Sequence, residues 1–322
     1  MILKPRKVAI VGTGHVGSHC GFSLITQGVC DELLMIDIEE SLAYSQALDL
    51  EDAVVYLPHE VKIKCGHTSD CGDCDVVVIS AGPLPLKNQT RLDTLGSTIQ
   101  VVDHVLLPIL ESGFSGIFVV ISNPVDVVSN YIHRMSGFPK HKVIGSGTCV
   151  DSARLRRVLS SEIGVAKRSI QAYSMGEHGD SQMVPWSHVS VGHKPLLQLM
   201  KEQSEKYSQL NLDALVHQTA RGGWDVFNGK GSTEFGIGTA ATEIIKAIFH
   251  DEKKILPVST LLQGEYHQQD VFASVPAVIG KDGVEEIIEL TLTDEEFQKF
   301  DASCAILKEY IEKSFEYSSL NE

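Results

Sequence analysis

The chain has 322 residues, of which 43% are hydrophobic and 21% are charged. That length and apolar content are enough for one large or two moderate globular domains. The formal net charge is -15 and no basic cluster overrides it locally, so nucleic acid and anionic membranes are not expected as partners. The apolar stretch VAIVG after the N-terminal cations is too short for a signal peptide or a membrane span, which predicts a cytoplasmic protein.

Strand and helix patterns alternate through the first half of the chain. The run KVAIVG at 7–12 predicts a strand, the stretch from His15 to Gly28 predicts a helix, and ELLMID at 32–37 predicts a second strand. Further strands are predicted at 75–80, 117–122 and 142–146. These runs lack the two-residue alternation of a half-exposed strand, which indicates a parallel sheet buried on both faces.

Short strands joined by crossover helices predict a Rossmann-type, doubly wound α/β domain over residues 1–145, with its ligand crevice at the carboxyl ends of the strands. Residues 146–322 mix helical and strand-like stretches and predict a mixed α+β catalytic domain. In its last segment, apolar residues recur at helical spacing from Phe297 to Ile311. Thr293 and Glu296 form a capping box where this helix is expected to begin.

The segment GTGHVG places Gly12, Gly14 and Gly17 between the first strand and the first helix. Such a turn lets backbone amides and the helix dipole bind a pyrophosphate. Asp37 ends the next strand, where a carboxylate can accept hydrogen bonds from ribose hydroxyls. Together they predict NAD as the cofactor, because the carboxylate would repel the additional phosphate of NADP. The alternative is a glycine set that only packs the helix against the strand, beside a solvated Asp37.

A second group of polar residues lies in DSAR at 151–154 and GEHGD at 176–180. Asp151 and Arg154 share one helix face if their segment is helical, whereas His178 sits between glycines where the chain must turn. Taken singly, these residues fit a surface ion pair and a loop histidine as well as they fit a catalytic site.

Seven cysteines at irregular spacings argue against a disulfide framework. Cys71 and Cys74 form a CxxC near Cys65 and His67, but the second ligand pair of a typical zinc site is missing. We therefore expect no metal site and interpret these cysteines as reduced thiols in a solvated turn.

With SNPVD at 122–126 and GKGSTEFGIG at 229–238, these motifs make the chain resemble the L-lactate and malate dehydrogenase family over nearly its whole length. Segments 111–148 and 221–231 are most similar to the L-2-hydroxyisocaproate and L-lactate dehydrogenases of lactic acid bacteria. The resemblance implies reversible hydride transfer between NADH and a small 2-oxo acid, in a homotetramer or homodimer.

The resemblance also implies a role for each site residue. His178, as imidazolium, would protonate the carbonyl oxygen, and Asp151 would orient it. Arg154 would hold the substrate carboxylate with its planar guanidinium. Arg91 would polarise the carbonyl once a mobile loop closes over the site. The remaining implied contacts are with the substrate, at Asn123 and Thr233, and with the cofactor, at Val16, Ala81, Gly82 and Asn123.

Residues 82–93 look like the lid of this family, and Leu86 falls at the position that selects the substrate side chain. Lactate enzymes have glutamine there and malate enzymes have arginine, so Leu86 departs from both patterns. Gly222 and Gly223 stand where at least one bulkier residue is expected, which suggests extra room. The preferred substrate is therefore expected to be an apolar 2-oxo acid. The alternatives are an ordinary L-lactate dehydrogenase and, in another class, an NAD-binding regulator without catalysis.

Overall fold

The computed structural model describes residues 4–83 and 92–320. Over these residues the strands are β1 (Lys7–Val11), β2 (Glu32–Ile36), β3 (Lys62–Cys65), β4 (Val76–Ile79), β5 (Ile117–Val120), β6 (Val143–Gly145), β7 (Ile170–Gln171), β8 (Ser190–Val191), β9 (Lys194–Pro195), β10 (Lys254–Gln263), β11 (Gln269–Gly280) and β12 (Gly283–Ile287). The helices are α1 (His15–Thr26), α2 (Glu40–Val54), α3 (Leu95–Glu111), α4 (Val125–Ser136), α5 (Cys149–Ile163), α6 (Leu196–Glu202), α7 (Ser204–Tyr207), α8 (Leu212–Lys230), α9 (Phe235–Phe249) and α10 (Asp294–Glu316). Within this part of the chain, no helix is both long and apolar enough to span a bilayer.

Nine strands form one sheet in the order β12-β11-β10-β6-β5-β4-β1-β2-β3. Strands β1 to β6 are parallel, and their order is that of a doubly wound dinucleotide-binding fold, which confirms the predicted fold class. Strands β10 to β12 extend this sheet in antiparallel fashion, and β10 joins β6 where Ser259 lies opposite Gly145. The sheet is therefore continuous across the division proposed at residue 145.

Alternate residues of the parallel strands point into two separate cores. Val8 and Ile10 belong to the core formed with α1, α2 and α9. Ala9 and Val11 belong to the core formed with α3, α4 and α10. All four side chains are at most 2% exposed, so both faces of the sheet are covered, as the lack of polar alternation predicted.

The segment before the predicted catalytic histidine is attached to the sheet without being a full strand of it. Residues 169–176 are one of the strand-like stretches of the second half, and they form a regular strand only at β7, which pairs with β8 in a small second sheet. Further on, Gly176 and Ser274 exchange two backbone hydrogen bonds of 2.9 Å, which tie the segment to β11. This bridge holds the chain next to His178 against the main sheet.

The structure confirms the predicted start of the last helix but not the predicted exposure of two cysteines. Helix α10 begins with the predicted capping box between Thr293 and Glu296. Cys71 and Cys74, however, are at most 7% exposed and belong to the α3 core, so the solvated-turn interpretation is wrong for both. Cys71 lies in a short 3-10 helix, Thr68–Asp73, and Cys74 directly follows it; this helix packs against α3. Within residues 4–83 and 92–320, no three His, Cys, Asp or Glu side chains are arranged to hold a metal ion.

Candidate active site

The glycine turn after β1 is packed too tightly to accept side chains at two of its three glycines. A Cβ at Gly12, where φ is +94°, would lie 2.6 Å from the Ala81 nitrogen, and one at Gly17 would lie 1.9 Å from the Gly12 oxygen. A Cβ at Gly14 would meet nothing within 4 Å. Gly14 also caps α1 without a side-chain hydrogen bond. The first turn of α1 thus faces open space with its amides uncapped by side chains, which fits an anionic diphosphate.

Asp37 lies at the end of β2 beside this turn. Its Oδ2 accepts hydrogen bonds from the Thr13 nitrogen at 2.7 Å and from Thr13 Oγ1 at 3.2 Å, and its Oδ1 accepts one from the Glu39 nitrogen at 3.1 Å. These bonds fix a carboxylate next to the glycine turn, as the NAD prediction requires. The residues present therefore fit the adenosine and diphosphate parts of NAD.

A cavity opens at the carboxyl ends of β4 and β5, where ligands bind in doubly wound sheets. It brings together six of the thirteen residues predicted to contact cofactor or substrate, namely Val16, Ala81, Gly82, Asn123, Gly223 and Thr233. Its walls also contain Trp224 and Phe227, whose rings meet edge to face with centroids 5.8 Å apart. These two aromatic residues were not predicted from the sequence, although Phe227 lies four residues after Gly223 on α8, a helical spacing that was a usable signal.

The residues predicted to act on the substrate meet at Asp151. This carboxylate is in the first turn of α5 and is 1% exposed. Its Oδ2 is hydrogen-bonded to Nδ1 of His178, and its Oδ1 accepts a 2.8 Å hydrogen bond from Nη1 of Arg154. The side chains of His178 and Arg154 are only 13% and 12% exposed. Because Nδ1 is engaged by the carboxylate, Nε2 is the ring atom left to exchange a proton.

Gly222 lies in a different place from the one expected. A Cβ there would be 3.2 Å from Cδ of Arg154, so the missing side chain makes space for the arginine stem. Of the two glycines, Gly223 is the one that lines the cavity. Gly222 instead allows α8 to approach α5, which places the cavity wall next to the Asp151 group.

A second buried carboxylate, Asp126, contacts the same histidine from the other side. It is 2% exposed, and its Oδ2 accepts a 2.8 Å hydrogen bond from the backbone nitrogen of His178. Burial raises its pKa to about 6, although Ser259 and the bond from His178 oppose that shift. The sequence analysis included Asp126 in the SNPVD motif without assigning it a role.

Two predicted site residues, Leu86 and Arg91, lie outside the described residues. Their places in the specificity position and on the mobile loop stay predictions from the sequence.

Comparison with known proteins matches both halves of the chain. Residues 6–145 match the family model of the lactate/malate dehydrogenase NAD binding domain, and residues 148–318 match that of the alpha/beta C-terminal domain. An "L-lactate dehydrogenase 3" of Bacillus thuringiensis subsp. konkukian is 46% identical over 95% of this chain and 97% of its own. An L-lactate dehydrogenase of Fusobacterium nucleatum subsp. nucleatum is 44% identical over 98% and 99%.

The fold agrees with that of a solved relative. The crystal structure of minor L-lactate dehydrogenase from Enterococcus mundtii, in its ligands-bound form, superposes with a TM-score of 0.92 at 37% identity, covering 96% of this chain and 98% of that one. Such identity over nearly the full length of each protein, with both domain models matched in order, shows that this chain belongs to the lactate/malate dehydrogenase family.

Proposed function

We propose that this protein is an NAD-dependent L-2-hydroxyacid dehydrogenase that interconverts small apolar 2-oxo acids and their L-2-hydroxy acids. The observation that carries the proposal is the buried carboxylate of Asp151, which bonds at once to His178 and to Arg154. Helix α8 connects this group to the cavity at the carboxyl ends of the parallel strands, because Gly222 packs against Arg154 and the next residue, Gly223, lines the cavity. The relatives named L-lactate dehydrogenase support the same class of reaction.

NADH, when bound, supplies the hydride that reduces the carbonyl carbon. The turn of Gly12, Gly14 and Gly17 would hold its diphosphate, and Asp37 would hold the adenosine ribose. Val16, Ala81, Gly82 and Asn123 line the cavity in which the reacting end would lie.

His178 supplies the proton that the carbonyl oxygen gains on reduction. Histidine suits this task because its protonation changes near neutral pH. The Asp151 carboxylate fixes the ring through Nδ1 and stabilises its charged form, so that Nε2 can donate the proton. In the oxidation of a hydroxy acid the same atom takes the proton back.

Arg154 holds the carboxylate that 2-oxo and 2-hydroxy acids share. The guanidinium has five N–H donors, and the bond to Asp151 uses one of them. Its planar fork can bind both oxygens of a carboxylate in a way that lysine cannot. Thr233, on the cavity wall, would contact the substrate from the second half of the chain.

The direct test measures NADH absorbance at 340 nm with a panel of 2-oxo acids, together with NADH binding by fluorescence. We expect both binding and oxidation of NADH. NADH binding without turnover on any 2-oxo acid would instead favour the non-catalytic regulator.

Asp37→Asn should weaken the discrimination between NADH and NADPH. The substitution removes a negative charge facing the site of the additional phosphate, and repulsion between such close charges is worth about 1–4 kcal/mol. The ratio of the NADPH and NADH dissociation constants, measured by fluorescence, should fall about tenfold, which corresponds to about 1.4 kcal/mol. Asp282→Asn makes the same charge change on the exposed β11–β12 turn and should leave the ratio unchanged. An unchanged ratio in Asp37→Asn would remove this residue from cofactor recognition.

We also propose that the protein is a homo-oligomer. Tyr44 and Leu48 on α2 and Val55 directly after it lie along one side of this helix and are 58%, 47% and 78% exposed, which is unusual for large apolar side chains on a monomer. Light scattering should give a molar mass that is a multiple of the chain mass, and Leu48→Glu should reduce it. A wild-type protein with the mass of one chain at micromolar concentration would contradict this proposal.

A further inference from the structure

The buried carboxylate of Asp126 lies close to His178 but is not part of the Asp151 group, so the proposed proton transfer does not yet account for it. It lies in the first turn of α4, three residues after the cavity residue Asn123. Its Oδ2 accepts the His178 backbone N–H at 2.8 Å, and its Oδ1 accepts the hydroxyl of Ser274 at 3.3 Å. One short segment thus supplies both a cavity wall and an anchor for the histidine.

The loop around His178 is fixed from several elements. Ser274 of β11 bridges Gly176 through two backbone bonds, and Ser303 of α10 accepts the Glu177 N–H at 2.9 Å. Asp126 fixes the next N–H along the chain, that of His178 itself. Asp151 then orients the ring, so the two carboxylates hold the backbone and the side chain of the same residue.

We propose that Asp126 is a positioning residue for the proton transfer, whose carboxylate both anchors the His178 backbone and, through its negative charge, helps to keep the imidazole protonated. The inference rests on the proposed function, since it assigns Asp126 to the chemistry of His178. A purely structural anchor needs only a neutral acceptor, which a backbone carbonyl or an amide could provide.

The charges around Asp126 support an electrostatic role. Burial opposes its ionisation and raises its pKa to about 6, so the ionised form is costly at this place. Among the described groups that act on it, Ser259 and His178 favour the ionised form, whereas the neighbouring carboxylate of Glu177 disfavours it. Cys304 of α10 also interacts electrostatically with Asp126. Burial raises the pKa of this thiol to about 12, so the thiol is neutral at physiological pH. Of these groups, His178 is the one whose protonated form is a cation, so the Asp126 charge would act on that form.

The substitution Asp126→Asn removes the negative charge and keeps the shape of the side chain. The amide oxygen can still accept the His178 N–H, and the amide nitrogen can donate to Ser274, whose hydroxyl accepts as well as donates. We expect kcat for 2-oxo acid reduction at pH 7 to fall about tenfold, with KM for the 2-oxo acid changed less than about threefold. Reduction requires the protonated ring, so the alkaline limb of the kcat profile should move about one pH unit lower.

NMR titration of the His178 ring gives a readout that does not depend on turnover. In Asp126→Asn the ring should lose its proton at lower pH than in the wild type, because a nearby negative charge is gone. Ser274→Ala removes a hydrogen bond at the same place without removing the charge, and it should leave the His178 titration in place. If the wild type fails to oxidise NADH, the proposed function fails while this titration still tests Asp126.

The thermal stability of Asp126→Asn gives a third test of the proposal. Since Asp126 has a raised pKa in the folded protein, its charged form opposes folding at neutral pH, and a neutral isostere relieves that cost. The thermal midpoint of Asp126→Asn at pH 7.5 should therefore be no lower than that of the wild type. A variant that does not fold at this pH, or one that folds with an unshifted His178 titration and an unshifted alkaline limb, would overturn the proposal.

Discussion

Replacing His178 by asparagine or alanine should lower kcat for 2-oxo acid reduction by about 10²–10⁴, the range expected for losing a general acid. Neither side chain can donate a proton near neutral pH as imidazolium does. NADH affinity should stay within about threefold, because the glycine turn and Asp37 belong to the β1–α1–β2 unit, whereas His178 follows β7 in the second half of the chain.

The measurement is steady-state kcat together with NADH binding by fluorescence. His217→Ala is the matched control, because it removes an exposed imidazole from the surface of α8 and should keep kcat close to the wild-type value. If His178→Ala keeps turnover within about threefold of the wild type, against the range expected for a general acid, the proton-donor assignment is wrong.

Leu86→Arg should give the enzyme measurable activity on oxaloacetate, which the wild type should reject. In the wild type the second carboxylate of oxaloacetate would be buried against an apolar side chain without a partner, at a cost of several kcal/mol. A guanidinium at this position offers that carboxylate a bidentate partner. The two stiff prolines that precede it, Pro83 and Pro85, are expected to limit how closely the new group can approach, so the recovery should be partial.

The expected result is a rise of at least about tenfold in kcat/KM for oxaloacetate, equal to about 1.4 kcal/mol of transition-state stabilisation. Leu197→Arg adds the same charge at an exposed position of α6 and should leave oxaloacetate activity at the wild-type level. If both variants behave alike, residue 86 does not select the substrate side chain.

The sequence predicted the cofactor half of the molecule well because its signals are local. The turn GTGHVG and the apolar runs of β1, β2, β4, β5 and β6 each depend on residues close together in the chain, as does the Thr293 capping box in the second half. Strand β3 was not predicted, because its short segment KIKC is mostly polar and only Ile63 in it is buried. The extension of the sheet by β10 to β12 was not predicted, because the residue pattern of a strand does not show which other strand it pairs with. That pairing also explains why the boundary predicted at residue 145 falls between two hydrogen-bonded strands.

In the candidate site, too, contacts between residues close in the chain could be predicted, whereas contacts between distant segments could not. Asp151 and Arg154 could be paired from their helical spacing, whereas their meeting with His178 depends on the fold and was inferred from resemblance. The contact of Gly222 with Arg154 and the bond from His178 to Asp126 both join segments far apart in sequence. Residue identity alone did not reveal that the first glycine serves helix packing, or that the second carboxylate is buried.

The most direct test of a dehydrogenase with an apolar substrate pocket is the wild-type kcat/KM for pyruvate, 4-methyl-2-oxopentanoate and oxaloacetate. Exchanging the methyl group of pyruvate for isobutyl adds three carbons, whose burial is worth about 2 kcal/mol, or about thirtyfold. Trp224 and Phe227 offer an aromatic wall against which those carbons can pack. We expect kcat/KM to be higher for 4-methyl-2-oxopentanoate than for pyruvate, and we expect oxaloacetate to be rejected. A preference for pyruvate of tenfold or more, equal to about 1.4 kcal/mol in the opposite direction, would contradict it.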